Sequence, residues 1–452
     1  MVNEKNEEQK KRGASFHLPE YSRTVLPNGL TVLCLPRPGL PLVSIRLLLR
    51  IGGRTDPPGR HGLASLTAEA LRRGTTGHSA AGFSEALDSL GGTLVVGADQ
   101  ECTVLSAEFM TEHLRSGLAL LQEALCHPTF PEQEIARLAI RRSDTIRQAK
   151  DNPSAVIQTY FESFLYQEHP YGRPASGDEV STASMTCEEV ASFWRSRYLP
   201  GRVILAVAGD LQESSLVAEV SGLLGAWENG ASPEEPLQDA AEPTEPRVLL
   251  VDKPDTNQTY FRIGGLGIER SHPDYLQLQV MNTVFGGRFT SRLNAALRVN
   301  SGLTYGARSF FVGLRKRGPF AMASYTPTET TAQAVELALQ QLRRFHEEGA
   351  SAEELASVKT YIRGQFPPTL ETIDQLAAIM AELEFYGLDA SYINTYLDQV
   401  DALTPARALQ LIDSHFPSRN LVFTFIGQAE KIRDTVGRFG PVTLRDITVP
   451  GF

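Results

Sequence analysis

The sequence predicts an α+β protein built from two homologous α/β-sandwich domains, one in each half of the chain. A stretch without apolar periodicity divides the 452 residues near their middle. The two halves place extended and helical segments in the same order, and each half ends on an apolar strand that meets a glycine. Duplication of one α+β unit explains this layout better than two unrelated domains do.

The dividing stretch is the segment 227–247, WENGASPEEPLQDAAEPTEPR, which is rich in proline, glutamate and alanine. Such a composition is typical of a semi-extended linker. We therefore predict a polar amino-terminal tail at 1–20, a first domain at 21–226 and a second domain at 248–452.

Corresponding segments follow one another in each half. Alternation of apolar and polar residues over 43–51 predicts a half-buried strand in the first half. The remaining predicted segments are strands at 203–208, 248–251, 260–263 and 421–427, glycine-flanked helices at 63–73 and 289–300, and long helices at 132–148 and 332–348.

Composition narrows the function. The net charge of −10 argues against general affinity for nucleic acid or anionic membranes. The four cysteines form no CxxC pair, and no apolar run approaches the roughly 20 residues that span a bilayer. The polar amino terminus makes the cytoplasm the default compartment, although an exported chain whose leader had been removed would look the same.

Three longer stretches carry a family resemblance. They are HGLASLTAEALRRGT from residue 61, HPYGRPASGDEVSTASMTCEEVASFWRSRYLPGRVILAVAGDL from residue 169, and FGGRFTSRLNAALRVNSGLTYGARSFF from residue 285. Together they resemble the insulinase/mitochondrial-processing-peptidase family of zinc peptidases, in its short bacterial form, over about residues 21–432. The resemblance implies two domains that enclose a chamber like a clam shell, and unfolded peptides as substrates.

Active members of this family carry an inverted zinc motif, His-x-x-Glu-His, on the helix of the first stretch. Residues four apart lie on one helical face, so both imidazoles can reach one zinc ion. The resemblance places Ser65 and Glu69 at the two histidine positions, Ala68 at the general base and Thr145 near the distant ligand. We therefore expect no metal in this chain and no peptide cleavage by it alone, and we expect zinc in a partner subunit.

Two further features of the first half bear on this site. Active members hold the substrate backbone with an Asn-Ala pair, whereas the matching positions here are Val95 and Val96. The histidines His61 and His78 flank the helix that carries Glu69, and they leave open an unrecognised metal site, but their spacing matches no usual ligand pair.

The family pattern is retained in the third stretch, where an arginine and a tyrosine lie seven residues apart. They are Arg298 near a helix end and Tyr305 in a strand that follows Gly302. In the family, this pair faces the zinc across the chamber. The tyrosine donates to the developing oxyanion, and the arginine binds a substrate carbonyl. The alternative is structural: Arg298 caps its helix and Tyr305 packs in the sheet.

Gly286 and Gly287 occupy the place of a glycine-rich loop in the family, either as a substrate contact or as a tight turn. The leading hypothesis is a non-catalytic subunit that supplies Arg298 and Tyr305 to a homologous zinc-bearing partner. The rival hypotheses are a purely structural pseudo-peptidase and a peptidase with its own unrecognised metal site.

Overall fold

The computed structural model describes residues 17–228 and 236–452. Most of the tail predicted at 1–20 and residues 229–235 of the linker predicted at 227–247 therefore lie outside the described residues. The described part of that linker has no helix or strand before the second half begins its sheet at Arg247.

The first half forms a mixed six-stranded sheet in the order β1-β2-β6-β3-β5-β4. Only the β2–β6 pair is parallel, and the other neighbouring pairs are antiparallel. Its strands are β1 (Ser22–Val25), β2 (Thr31–Pro36), β3 (Leu42–Leu49), β4 (Thr93–Ala98), β5 (Thr103–Met110) and β6 (Val203–Gly209).

The second half forms another six-stranded sheet in the order β12-β7-β11-β8-β10-β9. Its strands are β7 (Arg247–Asp252), β8 (Gln258–Leu266), β9 (Ala307–Phe311), β10 (Pro319–Pro327), β11 (Val422–Gly427) and β12 (Val442–Asp446). Five strands match the first sheet in order and direction, and only the outer strand differs, because β12 runs parallel to β7 whereas β1 is antiparallel to β2. The predicted fold class and duplication are confirmed.

Helices cover both sheets. In the first half they are α1 (Leu63–Ala70), α2 (Ala80–Ser89), α3 (Leu114–Cys126), α4 (Glu132–Ala149), α5 (Pro153–Tyr166), α6 (Glu179–Ala183), α7 (Cys187–Arg197) and α8 (Glu213–Leu224). In the second half they are α9 (Tyr275–Phe285), α10 (Arg292–Asn294), α11 (Thr331–Glu348), α12 (Ala352–Gln365), α13 (Ile373–Tyr386), α14 (Ser391–Asn394), α15 (Tyr396–Asp401), α16 (Pro405–His415) and α17 (Ala429–Val436). None of these helices combines the length and apolar character needed to cross a membrane.

The halves exchange one helix each. Most helices pack on the sheet of their own half, but α13 packs on β3 and β6 of the first sheet, and α5 packs on β8 and β11 of the second. Local residues set one end of each of these helices. Asn152 caps the start of α5 ahead of its first-turn proline, and Gly387, in the left-handed conformation, ends α13.

This exchange corrects one prediction. The alternating segment 43–51 was expected to form a half-buried strand, but β3 is buried along most of both faces. Its second face, which includes Leu48, packs against α13, a helix more than 300 residues away in the chain. Alternation along one strand carries no information about such a distant covering helix.

A buried carboxylate also joins the halves. Glu101, at the β4–β5 turn, accepts hydrogen bonds from the Tyr171 hydroxyl and from the backbone amide of Arg315 in the second half. The Tyr386 hydroxyl of α13 also donates to it at 3.4 Å. Burial raises the pKa of Glu101 above its usual value.

Candidate functional site

Helix α1 carries three of the four positions that the resemblance assigns to the metal site. The helix starts after Gly62, which adopts the left-handed conformation at φ 90°. The Asp56 carboxylate accepts from the backbone amides of Gly62 and Ala64, both at 2.7 Å, and so fixes the first turn. Ser65 and Glu69 lie one turn apart on the helix surface that faces α4.

A guanidinium group bridges these two positions. Arg142 of α4 donates to the Ser65 hydroxyl at 2.6 Å and to the Glu69 carboxylate at 2.8 Å. The other Glu69 oxygen accepts from Arg141 at 2.7 Å and from Arg73 at 3.3 Å. Burial alone would raise the pKa of Glu69, but the bonds and charges of the three arginines hold it below its usual value.

The remaining metal-site positions offer no ligand. Ala68 is buried and has no donor or acceptor in its side chain. The Thr145 hydroxyl donates to the Arg141 carbonyl of its own helix at 2.9 Å. Zinc in proteins is held by thiolates, imidazoles and carboxylates, so a hydroxyl and a carboxylate already committed to arginines do not fit it.

The histidines near α1 do not form a second metal site. His61 lies 3.4 Å from the Asp178 carboxylate, and His78 lies 3.0 Å from the Glu123 carboxylate. Each histidine therefore has its own carboxylate, and neither contacts Glu69 in the described part of the chain.

The second half contains one histidine–carboxylate cluster that the sequence analysis missed. His272, Asp274 and His415 bring their ligand atoms within 4.8 Å of one another. These atoms are already engaged: Asp274 binds Arg407 and His415, and His272 Nδ1 accepts from the Asp274 amide at 3.1 Å. The cluster fastens α16 to the start of α9, and His415 lies 141 residues from Asp274, which is too far in sequence for a recognisable motif.

The predicted arginine–tyrosine pair lies on the surface of the second half. Beyond α10 the helix continues as π-helical turns over Ala295–Asn300, and Gly302, at φ 66°, ends it. Arg298 is exposed and lies over the Phe289 ring at 4.8 Å. Tyr305 lies two residues before β9 rather than within a strand, and its side chain is 79% exposed.

The two glycines have different environments. Gly286 is buried and pairs with the edge of the second sheet, since its carbonyl accepts from the Ser309 amide at 3.0 Å. A Cβ atom at Gly286 would approach the Ser309 hydroxyl to 2.3 Å, so this close contact requires glycine. Gly287 is exposed and lines a cavity. Contact of these glycines with substrate stays a prediction.

The cavity has a volume of about 590 Å³ and lies on the second sheet beside this turn. Three arginines line it, so we refer to it as the arginine cavity: Arg262, Arg288 and Arg308. Ser154 of α5 contributes a wall from the first half. Sequence reasoning missed this site, although the arginine between Phe261 and Ile263 in an apolar strand was a signal.

Arg262 is only 7% exposed. Burial, reinforced by the nearby positive charge of Arg308, lowers the pKa of Arg262 to about 10. Arg308 is exposed, and Arg288 is partly buried. The arrangement combines a buried and two more accessible guanidinium groups in one concave site.

Two models of one protein family match this chain. Residues 32–179 match the family model "Insulinase (Peptidase family M16)", and residues 184–362 match "Peptidase M16 inactive domain". The "Non-peptidase homolog YmxG" of Helicobacter pylori is 25% identical over 397 residues, covering 87% of this chain and 90% of the relative. The "Uncharacterized zinc protease YmxG" of Bacillus subtilis is 25% identical over 350 residues, covering 77% of this chain and 84% of the relative.

Solved structures agree. A peptidase M16 inactive domain from Pseudomonas fluorescens superposes with a TM-score of 0.86 at 25% identity, covering 91% of this chain and 98% of that one. These similarities and the altered metal-site residues identify a homologue of the inactive, non-peptidase kind. The chain belongs to the M16 peptidase family, the insulinase family.

Proposed function

We propose that this chain is the non-catalytic subunit of a heterodimeric zinc metallopeptidase that cleaves peptides. A homologous partner would carry the His-x-x-Glu-His zinc site, and this chain would supply Arg298 and Tyr305 in trans. The observation that supports the proposal is a contrast between the metal-site positions of the first half and the arginine–tyrosine pair of the second. Arginine bridges close the metal-site positions, whereas Arg298 and Tyr305 are exposed beside a cavity.

The chemistry of the pair suits this role. Peptide hydrolysis develops negative charge on the scissile carbonyl oxygen, and a donor positioned opposite stabilises it. The Tyr305 hydroxyl is free to donate because no protein group in the described residues binds it. The Arg298 guanidinium, whose Cζ lies 4.8 Å from the centre of the Phe289 ring, can bind a substrate carbonyl. The partner's zinc would supply the activated water.

The family context supports a partner. M16 members commonly work with partner subunits, and the inactive-domain match over residues 184–362 includes both Arg298 and Tyr305. As the compartment of this complex we propose the cytoplasm, with the periplasm as the alternative, and fractionation of the host cell distinguishes them.

A structural pseudo-peptidase is the second candidate. The observation that favours it is the position of Arg298 at a helix end, where its stacking on Phe289 would also stabilise the turn. In that case the chain would assemble with its partner without contributing to turnover.

The test is reconstitution of the heterodimer with a zinc-bearing homologue, followed by turnover of a fluorogenic peptide. Loss of one oxyanion donor costs roughly 10²- to 10³-fold in rate, so Tyr305→Phe should lower kcat by about that factor. Arg298→Ala should raise KM more than it lowers kcat.

A matched control is Tyr396→Phe, which removes a half-buried hydroxyl on α15, away from the cavity. Size-exclusion chromatography must show normal assembly of every variant. If assembled Tyr305→Phe turns over substrate at the wild-type rate, the subunit is a scaffold.

A further inference from the structure

The arginine cavity is built across three neighbouring strands. Arg262 of β8 and Arg308 of β9 both pair in register with Ala323 of the central strand β10. Directly paired residues point to the same face of a sheet, so both guanidinium groups rise from one face, two strands apart. The stacked rings of Tyr260 and Tyr325, 5.5 Å apart, stand beside them on this face.

This positive charge has no counter-charge in the described structure. None of the described residues that line the cavity is acidic. Arg262 donates only to neutral acceptors, the Gln158 side chain at 3.3 Å and the Phe261 carbonyl at 3.1 Å. The nearest linked acid is Glu162, which accepts from Gln158 on the far side of that amide.

Two other cations of comparable burial among the described residues, Lys150 and Lys253, form ion pairs. Lys150, for example, is as buried as Arg262 and forms an ion pair with Glu179. By contrast, the described structure gives Arg262, Arg288 and Arg308 no ion pair, and the Nε of Arg288 is buried without a hydrogen-bond partner. Gathering unpaired guanidinium groups costs free energy, and an anionic ligand would offset that cost.

We propose that the arginine cavity binds a carboxylate group of the peptide substrate, so that its ligand is a peptide that presents a free carboxylate. The inference rests on the proposed function for the peptide nature of the ligand. A guanidinium fork matches the two oxygens of a carboxylate. The protein as a whole carries a net charge of −10, so general attraction of anions to its surface is not expected.

The cavity adjoins the surface that carries Arg298 and Tyr305. Phe289, which lines it, supports Arg298, and Gly306, also in its lining, follows Tyr305 directly. A peptide held at Tyr305 would therefore place a neighbouring residue over the arginines. The carboxylate can come from a glutamate or aspartate side chain, or from the carboxyl terminus of the peptide.

Binding to the full-length chain alone tests the proposal. Fluorescein-labelled peptides of equal length are titrated and followed by fluorescence anisotropy. One has glutamates and an amidated carboxyl terminus, a second has glutamines and a free carboxyl terminus, and a third has glutamines and an amidated terminus. We expect one of the two carboxylate peptides to bind roughly 10- to 100-fold more tightly than the third, and the tighter one identifies the source of the carboxylate.

Arg308→Gln is the main variant, because this side chain is exposed and its loss spares the core. It should weaken the preferred carboxylate peptide by roughly 10-fold or more and leave the third peptide unchanged. Arg262→Gln should act in the same direction. Arg343→Gln on α11 is the matched control, since it removes the same charge from an exposed position outside the cavity.

Three results would overturn the proposal: equal affinity for all three peptides, wild-type affinity in Arg308→Gln, or no detectable binding of either carboxylate peptide at millimolar concentration. The partner is absent from this assay, so its outcome is independent of Tyr305. A heterodimer insensitive to Tyr305→Phe refutes the proposed function without touching carboxylate binding, and the reverse result refutes only the arginine cavity.

Discussion

The Arg142 bridge predicts that this chain depends on a guanidinium where its active relatives hold a metal. The perturbation is Arg142→Met, which keeps a long apolar stem and removes the charge. The Arg142 side chain is 16% exposed, and it donates to Ser65 and Glu69 at 2.6 and 2.8 Å. Hydrogen bonds that involve a charged group contribute about 1.5–3 kcal/mol each. Because Glu69 retains Arg141 and Arg73, we expect a total loss of about 2–3 kcal/mol.

The assay is thermal and urea unfolding of purified variants. A loss of this size should lower Tm by about 4–12 °C for a unit of 150–250 residues. Arg141→Met is the control: it also contacts Glu69, but it is 58% exposed, so its loss should cost no more than about 1 kcal/mol. If the two variants unfold alike, the bridge does not stabilise the contact between α1 and α4, and the reasoning is refuted.

A second arm asks whether the guanidinium excludes metal. The four metal-site positions are returned to the residues of active relatives by S65H, A68E, E69H and T145E. With Arg142 present, its positive charge lies between the new ligands and opposes a dication. We expect tight zinc binding only when Arg142→Met is added, as measured by calorimetric titration. Equal zinc affinity with and without Arg142 would show that the side chain moves aside freely.

Two further predictions concern the unmodified chain and its pH response. Metal analysis after gel filtration should find far less than one zinc per chain, because Ser65 and Thr145 offer only hydroxyls, and a tightly bound equivalent would contradict the site geometry. Burial raises the pKa of Asp56 to about 7, despite the amide bonds from Ala64 and Gly62. A carboxyl with a raised folded-state pKa stabilises fully below its unfolded value, so this contribution should be lost between about pH 4 and pH 7. Urea unfolding across that range should show the loss in wild type and not in Asp56→Asn, and parallel curves would refute it.

Five of the twelve described strands and the long helices α4 and α11 were predictable, because their signals are local. Apolar runs that meet a glycine located β6 and β11, and the helical period over 132–148 located α4 to within one residue at its end. The left-handed Gly302 after Arg298 was predictable for the same reason, since helices commonly end at a glycine in this conformation.

Pairings across the fold were not predictable. The motif identified Ser65 and Glu69 as altered ligands, but Arg142 became relevant only when the structure placed α4 against α1. Arg262 and Arg308 are 46 positions apart in the chain and meet only through their shared neighbour Ala323. The covering of β3 by α13 likewise depends on the exchange of helices between halves. Each of these features depends on long-range packing. The periods of two and 3.6 residues that identify strands and helices carry no information about such packing.

The same exchange of helices links the altered metal-site positions to the arginine cavity through two consecutive helices. Helix α4, which holds Arg142, turns at Lys150 into α5, which carries Gln158 to Arg262 on the second sheet. This corner is anchored independently of both sites, because Lys150 is buried in an ion pair with Glu179 and donates to the carbonyls of Val449 and Gly451 at 2.8 and 3.1 Å. A rigid corner limits what a shift of α4 transmits to α5. We therefore expect substitution of Arg142 to leave the geometry of the arginine cavity unchanged, as the proposed non-catalytic subunit requires.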